Sequence, residues 1–124
     1  MDGGDAAKRL RVLVVEDESM VAMLMEDMLA DIGHEVGAVA STLDAAMEQA
    51  RTGSFDVAIL DVNVDGKPSY SVAEVLASRG VPVVFATGYG SRAQDHRFAT
   101  TPVLPKPFAV DSLRTVLSQF SSRS

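Results

Sequence analysis

The sequence predicts an α/β fold: a doubly wound, five-stranded parallel sheet in the order 2-1-3-4-5, with helices on both faces. Three observations carry this expectation. Short apolar runs alternate five times with stretches of helical periodicity over 124 residues. The runs are rich in β-branched residues and nearly continuous, as strands buried on both faces read. Their connections are short, which makes successive strands parallel and their crossovers right-handed, and five strands in so few residues fit the smaller doubly wound order.

Each element has its own signal. "RVLVVE" (11–16) reads as the first strand. "SMVAMLMEDMLADIG" follows as a helix, with Val21, Leu24, Met25, Met28, Leu29 and Ile32 facing inward, Glu26, Asp27 and Asp31 outward, and Gly33 as its stop. Methionines at this spacing read as core rather than as a soft binding surface. "HEVGAVA" (34–40) is the second strand. The second helix carries Leu43, Ala46, Met47 and Ala50 on one stripe, with Ser41 as N-cap and Gly53 as stop. "FDVAILD" (55–61) is the third strand. After a polar turn, Ser71 and Glu74 have capping-box spacing ahead of Val72, Val75 and Leu76. "VPVVFAT" (81–87) and "PVLP" (102–105) are the fourth and fifth strands, and "SRAQDHRFATT" between them offers only a short, weakly apolar helix. The last helix aligns Val110, Leu113, Val116, Leu117 and Phe120. The expected organisation is a flexible tail over 1–8, one domain over 9–121 and a tail over 122–124.

Composition narrows the function. The chain is 47% hydrophobic and 23% charged, with a formal net charge of −6. An acidic surface repels nucleic acid phosphates and anionic membranes, so neither is expected as a partner. With no cysteine there is no thiol nucleophile and no thiolate metal site, which suits the cytoplasm. His34 and His96 are far apart in the sequence and read as surface or strand-start residues rather than metal ligands. The acidic, glycine-rich start lacks the plan of a signal peptide.

In a doubly wound sheet the working site lies at the carboxyl ends of the strands, beside the point where strand order reverses. The first strand ends in Glu16-Asp17, the third in Asp61, the fourth in Thr87 and the fifth in Lys106. The order puts the first and third strands side by side, and three carboxylates there repel one another unless a cation sits among them. Mg²⁺ prefers such hard oxygen ligands. A carboxylate beside Mg²⁺ can attack an activated phosphoryl group, with a lysine ammonium and a threonine hydroxyl taking its other oxygens. Asp61, on the flanked strand, is the nucleophile, and Glu16 and Asp17 hold the metal.

Here the sequence resembles the receiver domains of bacterial two-component response regulators, the CheY-like (βα)5 proteins, over essentially its whole length. "VLVVEDE" resembles the acidic pair, Glu16 and Asp17; "AILDVN" the phosphoacceptor segment, with Asp61 as acceptor; "FAT" the switch hydroxyl, Thr87; and "LPKPF" the lysine, Lys106. The resemblance implies a backbone-carbonyl metal ligand at Asn63, a cis Lys106-Pro107 peptide, and Mg²⁺ as cofactor, with Mn²⁺ or Ca²⁺ able to replace it. It implies a phosphoacceptor that catalyses its own phosphorylation and dephosphorylation rather than an enzyme with a separate substrate. Its partners would be a histidine kinase or histidine phosphotransfer protein and an unidentified downstream protein, with the chain a monomer or weak dimer. With no output segment after residue 121, signalling would run through protein binding or through draining phosphate from a kinase.

Val103 stands where receivers commonly carry an aromatic residue that moves with the threonine. "VFATGYG" resembles the signature of the single-domain FATGUY subgroup, which makes Thr87, Gly88, Tyr89 and Gly90 the expected switch and Tyr89 a candidate for the missing aromatic role. Asn63 and Tyr89 also occupy the two positions that line the attacking water's path, so Tyr89 either screens the site or faces a partner. The glycines weaken the helix that follows, which is expected to be short or mobile and to respond to phosphorylation. Two other readings compete. An aspartate-nucleophile hydrolase of the Asp-x-Asp type needs an acid/base where Asn63 stands. A receiver-like interaction module independent of phosphorylation is the alternative. No Gly-x₄-Gly-Lys phosphate loop occurs, and no dinucleotide-binding glycine motif.

Overall fold

Strand and helix alternate as the periodicity requires, with one addition. The computed structural model describes residues 9–88, 98, 100–106 and 108–121. In chain order these form β1 (Arg11–Val15), α1 (Ser19–Asp31), β2 (Glu35–Ala40), α2 (Leu43–Thr52) and β3 (Val57–Asp61). Next come β4 (Asn63–Val64), β5 (Lys67–Pro68), α3 (Tyr70–Ser78), β6 (Val83–Thr87), β7 (Val103–Pro105) and α4 (Val110–Ser121). The main sheet has the order β2-β1-β3-β6-β7, all pairs parallel, which is the predicted 2-1-3-4-5 arrangement. β4 and β5 form a separate antiparallel ribbon that replaces the expected polar turn.

Alternate residues of each strand feed two cores, as the two-residue side-chain period demands. Leu13, Val15, Ala58, Leu60 and Phe85 pack with Ala46, Ala50, Val72 and Leu76 of α2 and α3. Val12, Val14, Ile59, Val84 and Leu104 pack on the other face with Met25, Leu29, Leu113 and Leu117 of α1 and α4. The central strands β1, β3 and β6 are buried on both faces, so the sheet is a platform that holds the residues at its carboxyl edge in place.

Several local expectations need correction. Thr42, not Ser41, caps α2: its Oγ1 accepts the Ala45 N–H at 3.1 Å. No capping box starts α3, because the helix already begins at Tyr70 and Ser71 lies inside it. Ser69 takes the N-cap position and spends its hydroxyl on Asp61 instead. The inward stripe of α1 is narrower than its period suggested. Met25, Met28 and Leu29 are buried, but Leu24 is 48% exposed, and Met20 and Met23 point to solvent at 82% and 62%. Only half of those four methionines are core. Val110, at the start of α4, is also exposed. Gly33 does end α1, at φ 91°. His34 follows and is half-buried, its Nδ1 accepting the Leu10 N–H at 3.1 Å. His96 and the predicted helix over 91–101 fall mostly or wholly outside the described residues. No helix among the described residues is long and apolar enough to cross a membrane.

Candidate functional site: an acidic cluster with one lysine

The parallel register delivers the predicted residues to one edge. Val15 pairs with Leu60, Asp61 with Ala86, and Thr87 with Pro105, so Glu16, Asp61, Thr87 and Lys106 lie at or just past adjacent strand ends. Backbone bonds extend the ladder by one rung: Glu16 N–H to Ala40 O at 3.0 Å, Val62 N–H to Ala86 O at 3.0 Å, and Lys106 N–H to Thr87 O at 2.8 Å. Their backbones are therefore held by the sheet, as loop residues are not.

The side chains converge. Glu16, Asp17 and Asp61 each bring a carboxylate oxygen within 4.8 Å of the others. Lys106 Nζ donates to Glu16 Oε1 and to Asp61 Oδ2, both at 2.8 Å. These pairs are well shielded: the side chains of Glu16, Asp61 and Lys106 are 4%, 13% and 16% exposed. Glu16 Oε2 also accepts the Glu18 N–H at 3.0 Å. Asp17 is less buried, and its Oδ2 accepts the Asp65 N–H at 2.8 Å. An open cavity of about 360 Å³ is lined by Asp17, Asp61, Asn63, Thr87, Gly88 and Lys106 among others. Glu16 is not among its lining residues.

The electrostatics follow from these partners. Burial pushes the Glu16 carboxyl above its usual 4.5, more than the Lys106 bond draws it back. Asp17 is held below 3.8, chiefly by the Asp65 N–H. Burial alone would lower the Lys106 ammonium, but its hydrogen bonds to Asp61 and Glu16 outweigh this and raise it above 10.5. Three carboxylates against one ammonium leave two negative charges at a partly dry site. That excess and the all-oxygen donor set fit a hard divalent cation such as Mg²⁺.

Glu16, Asp17, Asp61 and Lys106 are thus brought together as the sequence anticipates. Thr87, 5% exposed, ends β6 beside the cavity, and Asn63 begins β4 at its rim. Tyr89, Gly90 and Pro107 lie outside the described residues, and with them the Tyr89 role and the cis peptide. Val103 pairs with Phe85 in the ladder and is half-buried. Aromatic contact at β6 is made instead by Tyr70 and Phe98, each with its ring centroid 5.5 Å from Phe85.

Two contributors escaped the sequence reading. Ser69, fully buried, donates its hydroxyl to Asp61 O at 2.6 Å. Asp65 contacts Asp17 through its backbone alone. The Asp-Gly pair at 65–66, between Val64 and Lys67, was the available signal for the hairpin that carries it.

Residues 12–118 match the family model of the response regulator receiver domain. The solution structure of SdrG from Sphingomonas melonis Fr1 is similar at 40% identity and a TM-score of 0.80, covering 93% of this chain and 98% of that one. A BeF3-activated conformation of SdrG matches at 39% identity and a TM-score of 0.76, covering 89% and 95%. The receiver domain of PhyR from Erythrobacter litoralis matches at 30% identity and a TM-score of 0.80, covering 94% and 95%. Among curated proteins, the transcriptional regulatory protein PdtaR of Mycobacterium tuberculosis is 30% identical over 123 residues, 96% of this chain but 60% of PdtaR. The chain thus spans about three fifths or less of the curated relatives it matches. Motifs, sheet order and matched span agree: this chain belongs to the response regulator receiver domain family.

Proposed function

We propose that the chain is a Mg²⁺-dependent phosphoryl acceptor that takes a phosphoryl group on Asp61 from a histidine kinase or histidine phosphotransfer protein. It would then signal by phosphorylation-dependent protein binding, or drain phosphate from a kinase. The observation that carries this reading is Lys106, whose ammonium holds Glu16 and Asp61 together at 2.8 Å beside a cavity open to solvent. With Oδ2 occupied by Lys106, Asp61 Oδ1, which among the described residues takes a long 3.4 Å contact from the Asn63 N–H, is the attacking oxygen. It forms a P–O bond as the P–N bond of phosphohistidine breaks, and the departing imidazole takes up a proton. Glu16, Asp17, Asp61 and the Asn63 carbonyl would hold the cation. When bound, that cation offsets charge on the phosphoryl oxygens; Mn²⁺ or Ca²⁺ could stand in for Mg²⁺. Lys106 and the Thr87 hydroxyl take the remaining oxygens.

The similarity to SdrG supports placement of the chain in the single-domain FATGUY subgroup, with the switch at Thr87, Gly88, Tyr89 and Gly90 and the receiver unit over 9–121. Incubation with acetyl phosphate and Mg²⁺, read by the mobility of the phosphoprotein, tests the reading. Wild type is expected to be labelled and Asp61→Asn not at all. Undiminished labelling of the variant would overturn the assignment.

A further inference from the structure

Between Asp61 and Ser69 the chain forms a braced hairpin. Ser69 closes its base, giving its N–H to Val62 O at 2.8 Å and its hydroxyl to Asp61 O at 2.6 Å. Val64, fully buried, anchors one strand in the core beneath. Asn63 pairs with Pro68 and Val64 with Lys67, leaving a two-residue turn at Asp65 (φ 52°) and Gly66 (φ 76°). Positive φ at both central residues defines the primed hairpin turn for which Asp-Gly is a preferred pair. Gly66 is there for its conformation, since an added Cβ would meet nothing within 4 Å.

This turn aims the Asp65 N–H at Asp17 Oδ2, 2.8 Å away and 48 residues distant in sequence. It links the two connections that carry the carboxylates, one after β1 and one after β3. Without it, Asp17 would lose the largest of the hydrogen bonds that stabilise its carboxylate, keeping only those to its own N–H and to Glu16 next in sequence, and an ion that demands near-octahedral geometry would have to order it further on binding. A carboxylate oxygen that accepts one N–H retains lone pairs for a cation.

We propose that the β4–β5 hairpin is a positioning device for the cation site, its Asp65 N–H orienting the Asp17 carboxylate before an ion binds. The inference rests on the metal-binding reading above. Partners that orient a metal ligand are worth about 10- to 100-fold in affinity. In calorimetric titration with Mg²⁺ alone, Asp65→Pro, which lacks the N–H and cannot adopt positive φ, is expected to bind at least about tenfold more weakly than wild type. Asp65→Asn, which keeps both, should bind within about twofold. Wild-type affinity in Asp65→Pro overturns the proposal alone, whereas a wild-type chain that takes up no Mg²⁺ overturns the metal reading and the proposal with it. Should Asp65→Pro fail to fold, amide hydrogen exchange on metal-free protein decides. The Asp65 amide is expected to be protected in wild type and to lose about tenfold protection in Asp17→Ala; equal exchange in the two overturns the proposal.

Discussion

The two ends of the sheet carry polar clusters built from similar residues that do opposite things. At the amino end, Arg11 gives its backbone N–H to Asp56 Oδ2 at 2.8 Å, its Nε to Ser54 O at 2.8 Å and its Nη1 to Glu35 Oε2 at 2.9 Å. Its guanidinium also sits 5.7 Å from the centre of the Phe55 ring, and Arg9 reaches Glu35. Two arginines face two carboxylates, the charges cancel, and the Arg11–Glu35 pair is about 45% exposed. At the carboxyl end, three carboxylates face one ammonium, and Glu16 is almost fully buried. Balanced, wet charges fasten a structure at little energetic consequence. Unbalanced, shielded charges are costly to hold and mark where a ligand of opposite charge completes the site.

The comparison predicts unequal responses to losing one cation at each end. Lys106→Met should have the largest effect. It leaves Glu16 and Asp61 facing each other without a counter-charge, a loss of about 3 kcal/mol of stability in metal-free protein. Phosphorylation by acetyl phosphate should slow by about 100-fold. Urea titration with and without Mg²⁺ checks the first effect, and saturating Mg²⁺ should recover part of it. A variant as stable as wild type without Mg²⁺ would break the comparison.

Arg11→Ala should matter less. An exposed ion pair and a ring contact together contribute about 1 kcal/mol, and the phosphorylation rate should not change. A fall in that rate would show the two ends to be coupled through β1, against the reading of Arg11 as a fastener.

The smallest effect is that of pH on His34, also at the amino end. Its imidazole accepts the Leu10 N–H, and burial holds its pKa below the ordinary 6.5. Below 6.5 the unfolded chain therefore binds the proton more readily than the folded one. This contribution to stability is whole above that value and declines as pH falls through it. Denaturation at pH 7.5 and 5.5 should show a shallower decline for His34→Asn than for wild type; equal declines would remove His34 from the account.

Much of the site was legible because it is written at strand ends. The β-branched runs ending in Glu16, Asp61 and Thr87 have nowhere to go but a buried parallel sheet, and the strand order then places them along one edge. Local helix signals fared worse. Ser41 is by type at least as good a cap as Thr42, yet the helix starts at Leu43 and it is the Thr42 hydroxyl that meets the Ala45 N–H. Leu24 lies on the apolar stripe of α1, yet the sheet covers only the arc around Met25, Met28 and Leu29.

What the sequence by itself determined is the charge inventory and its address: three carboxylates and a lysine at strand ends of a five-stranded order, with a negative excess that calls for a cation. Tertiary structure alone decided how those charges are shared. It placed Lys106 equally between Glu16 and Asp61, left Glu16 out of the cavity lining, and gave the Ser69 hydroxyl to Asp61 O as a brace. It also tied Asp17 to a backbone N–H from a hairpin 48 residues away. The physical reason is the same in each case. Residue type sets which bonds a group can make, but which partner is within 3 Å depends on chain segments far apart in sequence and brought together only by packing.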